Sequence, residues 1–387
     1  MPESAKTLTV SYFLRSIGYP LMSIFTGAFI WKSSNDITLL ILYYLGNFLA
    51  LPIMFVINRR LLIRVPLRYL YLTGTILAGF GPLLVIFQLY ETPLAYTLYG
   101  FIYGIGSGLY WANRNFLTLT YTTSQSRSYF TGLQFTLGTL ASMIVPPIAG
   151  WIVVLLPNGY QILAVTASLI FLASGLSIRG NKFAQPDVSL KRTGPLSLEW
   201  QKARWLSVAI GCVDSVIYVL PTMLVLNVLG NEAVLGLVNG LASLLSAGAS
   251  YIVGRKYRQA MFIPVFTAML IGFTIAGLPL FWGIAVLTVS WYLFIVNISN
   301  SVIWIANEPV LLDMMDDEVK RSHTTHYRLI IEREQFLNIG RMSMLILLLV
   351  TSLYDRQQAI AISASVSGLI ALGLTIPALD KKANTTR

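Results

Sequence analysis

Charged residues are scarce in this chain of 387 residues, since Asp, Glu, Lys and Arg together make up 11% and hydrophobic residues make up 56%. Soluble domains carry roughly 25% charged residues. The composition therefore excludes an ordinary soluble protein and indicates a membrane protein. Acids are scarcer than bases, at 16 against 27, which gives a formal net charge of +11.

Cysteine and histidine are nearly absent. The single cysteine, Cys212, lies in an apolar run, and His323 and His326 are the two histidines. This content excludes a disulfide framework and argues against a metal site, so we expect no cofactor. The glycines of "YGIGSGLYW" lack the Lys-Ser/Thr of a nucleotide-binding loop and indicate close helix packing instead. We expect neither ATP hydrolysis nor any other enzymatic activity.

Long apolar runs fill the chain from end to end. The first run is too long for the core of a cleavable signal peptide, roughly 7–15 residues, and is long enough to span a bilayer. Together with this first run, the sequence contains twelve candidate spans of similar length: about 9–31, 37–57, 67–89, 93–119, 128–155, 159–178, 205–228, 233–253, 261–282, 284–311, 326–352 and 358–379. The sequence thus predicts a multi-pass protein of the cell inner (cytoplasmic) membrane.

Basic residues fall on alternate loops between these spans. One side carries only Lys32 and Arg356. The other side carries Lys6, Arg59, Arg60, Arg64, Arg68, Arg127, Arg179, Lys182, Lys191, Arg192, Lys202, Arg204, Arg255, Lys256, Arg258, Lys320, Arg321, Lys381, Lys382 and Arg387. The positive-inside rule then places both termini in the cytoplasm. The positive charge is a topology signal, and we expect no nucleic-acid partner.

The longest hydrophilic break separates six spans from six. It predicts an N-terminal six-helix bundle at 1–179, a cytoplasmic linker at 180–203 and a C-terminal six-helix bundle at 204–387. Within it, "LSLEWQKARW" is expected to form a short amphipathic helix at the membrane surface. The acidic stretch "DMMDDEVKRSH", residues 313–323, is expected to form a solvated loop.

Three short matches indicate that the two halves are repeats. "YWANRN" in span 4 matches "IWIANEP" in span 10, which places Glu308 194 positions after Arg114. "QFTLGTLASMI" matches "QFLNIGRMSMLI" about 201 positions later, and Ile17-Gly18 matches Ile210-Gly211 at an offset of 193. All three matches occur in the same order, which favours duplicated six-span halves.

This architecture resembles the major facilitator superfamily. "ASMIVPPIAGW", residues 141–151, resembles the Pro/Gly signature that the family carries in span 5, most often in exporters. The loop "INRRLLIRVPLR" departs from the family pattern, because Asn58 stands where an aspartate is expected. The resemblance implies an all-α fold of twelve transmembrane helices in two pseudo-symmetric bundles. It also implies secondary transport by alternating access, with spans 1, 4, 7 and 10 lining a central cavity.

Ionisable side chains inside the spans are functional candidates, because each costs about 2.5–3.5 kcal/mol at the centre of a helix. The resemblance implies that Arg114 and Glu308 face each other across the cavity, and we expect them to pair when the cytoplasmic side closes. The alternative is that each extends to the membrane interface or pairs locally, Arg114 with Asn113 or Gln134. In span 11, the i, i+4, i+7 spacing puts Glu334, Asn338 and Arg341 on one helix face.

The candidate residues form two groups. Carboxylates that can bind and release a proton in a partly dry cavity are Glu308, Glu334 and Asp214, in that order, with Arg114 as a gating partner. The substrate-binding candidates are Arg15, Asn113, Arg114, Trp111, Asn300, Trp304, Asn307, Asn338 and Arg341.

These residues favour proton-coupled efflux of a small organic solute, with sodium as the alternative ion. Uptake or exchange of an organic anion, a lipid or lysolipid flippase, and a non-transporting scaffold on the same fold stay open. Arg15 and Arg341 in one pocket would favour the anion, and an acid with aromatics would favour the exporter. We expect a monomer whose partners are a small-molecule substrate, the coupling ion and membrane lipids.

Overall fold

The computed structural model describes residues 3–88, 90–121, 124–181, 183–188, 195–256 and 261–379. Residues 182 and 189–194 of the predicted linker lie outside these ranges. So do some of the bases that carry the topology prediction: Lys182, Lys191, Arg192, Arg258, Lys381, Lys382 and Arg387.

Regular structure in the described ranges is helical throughout. The helices are α1 (Glu3–Ser34), α2 (Ile37–Leu61), α3 (Leu67–Ile86), α4 (Pro93–Tyr121), α5 (Ser124–Leu155), α6 (Gly159–Ser177), α7 (Leu198–Val228), α8 (Glu232–Lys256), α9 (Phe262–Gly277), α10 (Val286–Ser322), α11 (His326–Ser352) and α12 (Arg356–Leu379). A 3₁₀ turn, Leu278–Phe281, follows α9. The prediction of twelve helices is confirmed.

Eleven of the described helices are long and apolar enough to cross a membrane, and α4 is the exception. Its apolar residues are diluted by tyrosine, glycine and the polar "NRN" segment, which lower its hydropathy. Large apolar side chains elsewhere point outward, among them Ile144 and Ile148 of α5 and Leu169 of α6. In a membrane protein, such exposed surface is suited to contact with lipid.

The first of two compact units comprises Met1–Val188 and Pro221–Leu244. In it α4 packs against α2 and α3, and α1 packs against α5 and α6. The mid-span glycines explain the closeness of α4: a Cβ on Gly106 would lie 2.1 Å from the amide nitrogen of Ala78 in α3. The prediction that these glycines serve helix packing is confirmed.

The Pro/Gly segment of α5 packs within the same unit against the start of α8. A Cβ on Gly150 would lie 2.2 Å from the carbonyl oxygen of Glu232, and one on Gly236 would lie 2.1 Å from that of Pro146. Only a residue without a side chain allows two helix backbones to approach this closely.

The second unit comprises Ser189–Leu220 and Leu245–Arg387. In it α9 packs against α10 and α12, and α11 packs against α12 and α10. Since residues 221–244 join the first unit, the units do not follow chain order. The division at 180–203 stays a prediction.

Two expectations about polar segments are wrong. "DMMDDEVKRSH" is not a loop, because α10 continues to Ser322. The next residue, His323, has a left-handed backbone conformation that caps the helix. Its C-terminal Lys320 and Arg321 suit the helix dipole, and Glu318 accepts a hydrogen bond from the backbone nitrogen of Ser197.

"LSLEWQKARW" is likewise not a separate surface helix but forms the first turns of α7. Trp200 is 1% exposed, and its indole donates to Glu332 of α11 over 2.9 Å. Arg204 pairs with the same carboxylate at 2.6 Å. These contacts fix the beginning of α7 to α11.

Candidate functional site

Two glycines bring the backbones of α7 and α11 together. A Cβ on Gly211 would lie 2.0 Å from the carbonyl oxygen of Leu337, and one on Gly340 would lie 2.1 Å from that of Val208. Asp214 follows Gly211 by three residues on α7, and Arg341 follows Gly340 directly on α11. The close backbone contact therefore places these two charged side chains within reach of each other.

Asp214, Glu334, Asn338 and Arg341 form one buried cluster, hereafter the α7–α11 cluster. Arg341 donates through Nε and Nη2 to Oδ2 of Asp214, at 2.8 and 2.7 Å. Its Nη1 lies 3.3 Å from Oε1 of Glu334. Asn338 donates to the same Oε1 over 2.9 Å. The predicted shared face of α11 is confirmed, and the structure adds Asp214 to it.

The charges of this cluster do not balance. All four residues are 7% exposed or less. Among the described residues, the ion pairs of Asp214 and of Glu334 are both made to Arg341. One guanidinium thus serves two carboxylates, which leaves one formal negative charge when both are ionised. An excess of buried charge is costly.

Glu308 has an arginine of its own. Its Oε2 lies 3.1 Å from Nη2 of Arg333 on α11, and the guanidinium of Arg333 lies 5.9 Å from the ring centre of Trp304. The one-to-one pair is formally neutral, so Glu308 lacks the charge imbalance of the α7–α11 cluster.

Arg114 lies in the first unit, where it has local partners. Its Nη2 donates to Oε1 of Gln134 over 3.0 Å, and its Nη1 donates to Oδ1 of Asn115 over 3.3 Å. The guanidinium also lies 5.0 Å from the ring centre of Trp111. These contacts match the local alternative for Arg114, with Gln134 as its partner.

Asn113 is fully buried and points to α2. Its amide nitrogen donates to Oδ1 of Asn58 over 3.0 Å, and Asn58 returns a bond of 3.2 Å. Asn58 is the residue that stands in place of the family's aspartate, so a neutral amide pair occupies a position expected to carry charge. Asn113 is thereby engaged in helix packing in this structure.

The remaining candidates of α10 lie in the second unit. Asn300 and Trp304 are half-buried, whereas Asn307 is 1% exposed. The side-chain oxygen of Asn307 has no hydrogen-bond partner among the described residues.

Arg15 of α1 is packed among aromatic rings in the first unit. It is 3% exposed, and its guanidinium lies 3.6 Å from the ring centre of Tyr110 and 4.4 Å from that of Phe171. It therefore differs from Arg341, whose partners are carboxylates.

The structure also buries an acid that the sequence analysis did not single out as a site residue. Glu232, the first residue of α8, is 3% exposed, accepts from the hydroxyl of Tyr160 over 2.7 Å and pairs with Lys32 at 2.9 Å. The sequence did contain a signal for this pair, because Lys32 is one of only two bases on the side of the membrane that the predicted topology leaves poor in positive charge. Within the described residues, no group of three or more His, Cys, Asp or Glu side chains could hold a metal ion.

Comparisons with known proteins place the chain in a family. The Major Facilitator Superfamily profile matches residues 7–327. The uncharacterized protein YqgE of Bacillus subtilis (strain 168) is 26% identical over 373 residues, covering 92% of this chain and 84% of that protein.

Solved structures show the same fold. A bacterial homologue of the iron transporter ferroportin, in the inward-facing state, has a TM-score of 0.69 at 14% identity and covers 97% of this chain and 98% of its own. A peptide transporter POT mutant in complex with sulfate has a TM-score of 0.65 at 14% identity, with coverage of 98% and 95%. The chain thus belongs to the Major Facilitator Superfamily and is a multi-pass secondary transporter of the alternating-access type.

Proposed function

We propose that this transporter is proton-coupled and that the α7–α11 cluster is its proton-binding site. The observation that carries the proposal is the sharing of Arg341 by Asp214 and Glu334 in a buried position. One bound proton brings the cluster to formal neutrality. Sodium, the alternative ion, would need oxygen ligands around it, whereas here the guanidinium and Asn338 occupy the sides of the carboxylates that face the cluster.

Proton binding can be tied to movement because the cluster joins two helices. In the ionised form Arg341 of α11 pairs with Asp214 across the two helices and with Glu334 on its own helix. Protonation of one carboxyl weakens its attraction to the guanidinium and leaves a single, charge-balanced pair. The cost of burying the cluster therefore differs between the two forms, and a conformation that exposes it to water favours the ionised form. Such a difference is what couples an ion to alternating access.

Outward transport of a small organic solute is the direction we propose. In that scheme a proton enters down its gradient while the solute leaves. Its support is the resemblance of 141–151 to the exporter signature, together with the close packing of Gly150 and Pro146 on α8. Charge alone does not determine direction, since the same cluster would serve uptake or exchange.

Proton movement in proteoliposomes tests the proposal. Vesicles that are acidic inside and contain a pH-sensitive dye are exposed to monocarboxylates, organic phosphates and amphipathic cations in turn. Wild type should raise the internal pH with one class. Asp214→Asn and Glu334→Gln should each lose the proton movement and retain solute–solute exchange, because exchange requires no net movement of protons.

Two further variants make this result specific. Asp317→Asn removes an exposed acid and should behave as wild type. Glu308→Gln should keep proton movement, because Glu308 belongs to a balanced pair with Arg333. Loss of coupling in Glu308→Gln, with coupling intact in both cluster variants, would contradict the assignment.

A further inference from the structure

The guanidinium of Arg15 has hydrogen-bonding groups that the described part of the protein does not use. Its Nη1 and Nη2 are buried and have no hydrogen-bond partner among the described residues. The contacts with Tyr110 and Phe171 are made with ring faces. Stacking on a ring uses the face of the guanidinium plane, and the N–H groups lie along its edge. Two parallel donors are therefore left for another group.

No acid of the first unit is placed to neutralise this charge. Its sequence contains five acidic residues, and all of them stand at helix ends or in loops, whereas Arg15 lies well inside α1. They are Glu3 at the start of α1, Asp36 before α2, Glu91 between α3 and α4, Asp187 after α6 and Glu232 at the start of α8. None of these five acids forms a hydrogen bond with the terminal nitrogens of Arg15 in the described part of the chain.

The other arginine inside a span of this unit shows what a satisfied side chain looks like here. Arg114 donates to the side-chain oxygens of Gln134 and Asn115. Arg15 is more deeply buried, at 3% exposure, yet its terminal nitrogens have no such acceptor within the ranges that the structure describes. Burial without an acceptor is costly for a charged donor, so a ligand that supplies two acceptor oxygens would be bound strongly.

The surroundings of Arg15 are aromatic. Tyr110 and Phe171 flank the guanidinium, and the ring of Tyr110 is tilted against that of Tyr71 at 5.1 Å. The hydroxyl of Tyr71 is held by Ser11 at 2.8 Å, one turn before Arg15 on α1. A single cation in an apolar, ring-lined setting fits one negative charge attached to an apolar body.

We propose that Arg15 binds the carboxylate of a small organic monoanion, with both carboxylate oxygens on Nη1 and Nη2. This inference rests on the proposed transport function and names the class of its solute. Tyr110 and Phe171 keep the surroundings of the bound carboxylate apolar. A dianion such as a phosphate ester would bring a second charge that this site does not balance.

Ligand-dependent thermal unfolding of the full-length protein in detergent tests the proposal. The probes are acetate, hexanoate and benzoate, each compared with its uncharged amide at constant ionic strength. Wild type should be stabilised saturably by at least one carboxylate and not by the matching amide. Arg15→Gln should weaken the apparent affinity by about tenfold or more. Arg15→Lys keeps the positive charge but loses the two parallel N–H donors. Its apparent affinity should therefore lie between those of wild type and Arg15→Gln.

Arg64→Gln is the matched control, because it removes one exposed positive charge in a loop and should bind as wild type. If Arg15→Gln does not fold, the apparent carboxylate affinities of wild type and Arg15→Lys test the proposal instead. The proposal is overturned if no carboxylate stabilises wild type, if Arg15→Lys binds as tightly as wild type, or if chloride or inorganic phosphate gives the same effect as the carboxylates.

Failure of this inference and failure of proton coupling are distinguishable. Binding in detergent needs no gradient, so it can depend on Arg15 even if Asp214→Asn and Glu334→Gln still move protons. In that case the carboxylate site stands and the coupling site does not. If proton movement depends on the α7–α11 cluster but is driven only by uncharged or cationic solutes, the coupling site stands and the carboxylate site does not.

Discussion

Lys32 and Glu232 join the end of α1 to the beginning of α8 through an ion pair of 2.9 Å. The glutamate is buried and the lysine side chain is 55% exposed, so water reaches only one partner. The hydroxyl of Tyr160 supplies a second donor to the same carboxylate. The positive-inside rule predicts that this end of the helices lies outside the cell.

Removing Lys32 should therefore destabilise the protein. Lys32→Met leaves the buried Glu232 with only the tyrosine hydroxyl as a side-chain donor, and we expect a loss of about 1–2 kcal/mol. Chemical unfolding in detergent measures it. Lys320→Met is the control, since its pair with Asp317 is exposed on both sides and should be worth at most about 0.5 kcal/mol. Equal effects of the two substitutions would mean that burial of Glu232 does not strengthen the pair.

The α7–α11 cluster predicts a strongly non-additive pair of substitutions. Arg341→Met removes the only ion-pair partner that the described residues give to Asp214 and Glu334, and should cost about 3–5 kcal/mol at neutral pH. Adding Asp214→Asn removes one of the unpaired charges, so the double variant should be more stable than Arg341→Met alone. A double-mutant cycle on unfolding free energies measures the coupling. Additive effects would contradict a direct interaction.

Close contact of α7 with α11 predicts that Gly340 cannot accept a side chain. Gly340→Ala places a methyl group against the carbonyl oxygen of Val208 and should separate the two helices, at a cost of about 1–3 kcal/mol. Gly373→Ala in α12 is the control, because nothing lies within 4 Å of its Cβ position. That control should be neutral or stabilising by up to about 1 kcal/mol, since alanine favours a helix. Similar thermal unfolding of the two variants would contradict the contact.

Topology can be tested with single cysteines, because Cys212 is the only cysteine in the sequence and Cys212→Ser removes it. In that background, a membrane-impermeant maleimide should label Gln357→Cys in intact cells and leave Arg64→Cys unlabelled until the membrane is opened. Both positions are exposed in loops or at helix ends. The reverse pattern would invert the predicted orientation and place the termini outside.

Much of the fold was predictable because a bilayer imposes simple rules on sequence. Each span needs about 20 apolar residues, which fixed the number of helices. Helix ends were less predictable: α10 extends through an acidic segment, and α7 begins within the expected linker. In both cases polar side chains form hydrogen bonds or ion pairs with other segments of the chain. A hydropathy pattern does not predict such contacts.

The candidate site was predictable only where its residues share one helix. Helical periodicity alone put Glu334, Asn338 and Arg341 on one face, as the structure confirms. The addition of Asp214 depended on the approach of α7 to α11 at Gly211 and Gly340, whose contacts join residues more than 120 positions apart.

Sequence by itself thus determined that this chain spans a membrane with twelve helices in the manner of its family, because apolar length and charge placement are local properties. Only the tertiary structure determined which charged side chains contact each other. In the structure Glu308 pairs with Arg333, and Arg114 donates to Gln134. Asp214 and Glu334 both pair with Arg341. The terminal nitrogens of Arg15 have no acceptor among the described residues. The physical reason is that an ion pair depends on distances of about 3 Å between side chains, and helix packing sets those distances.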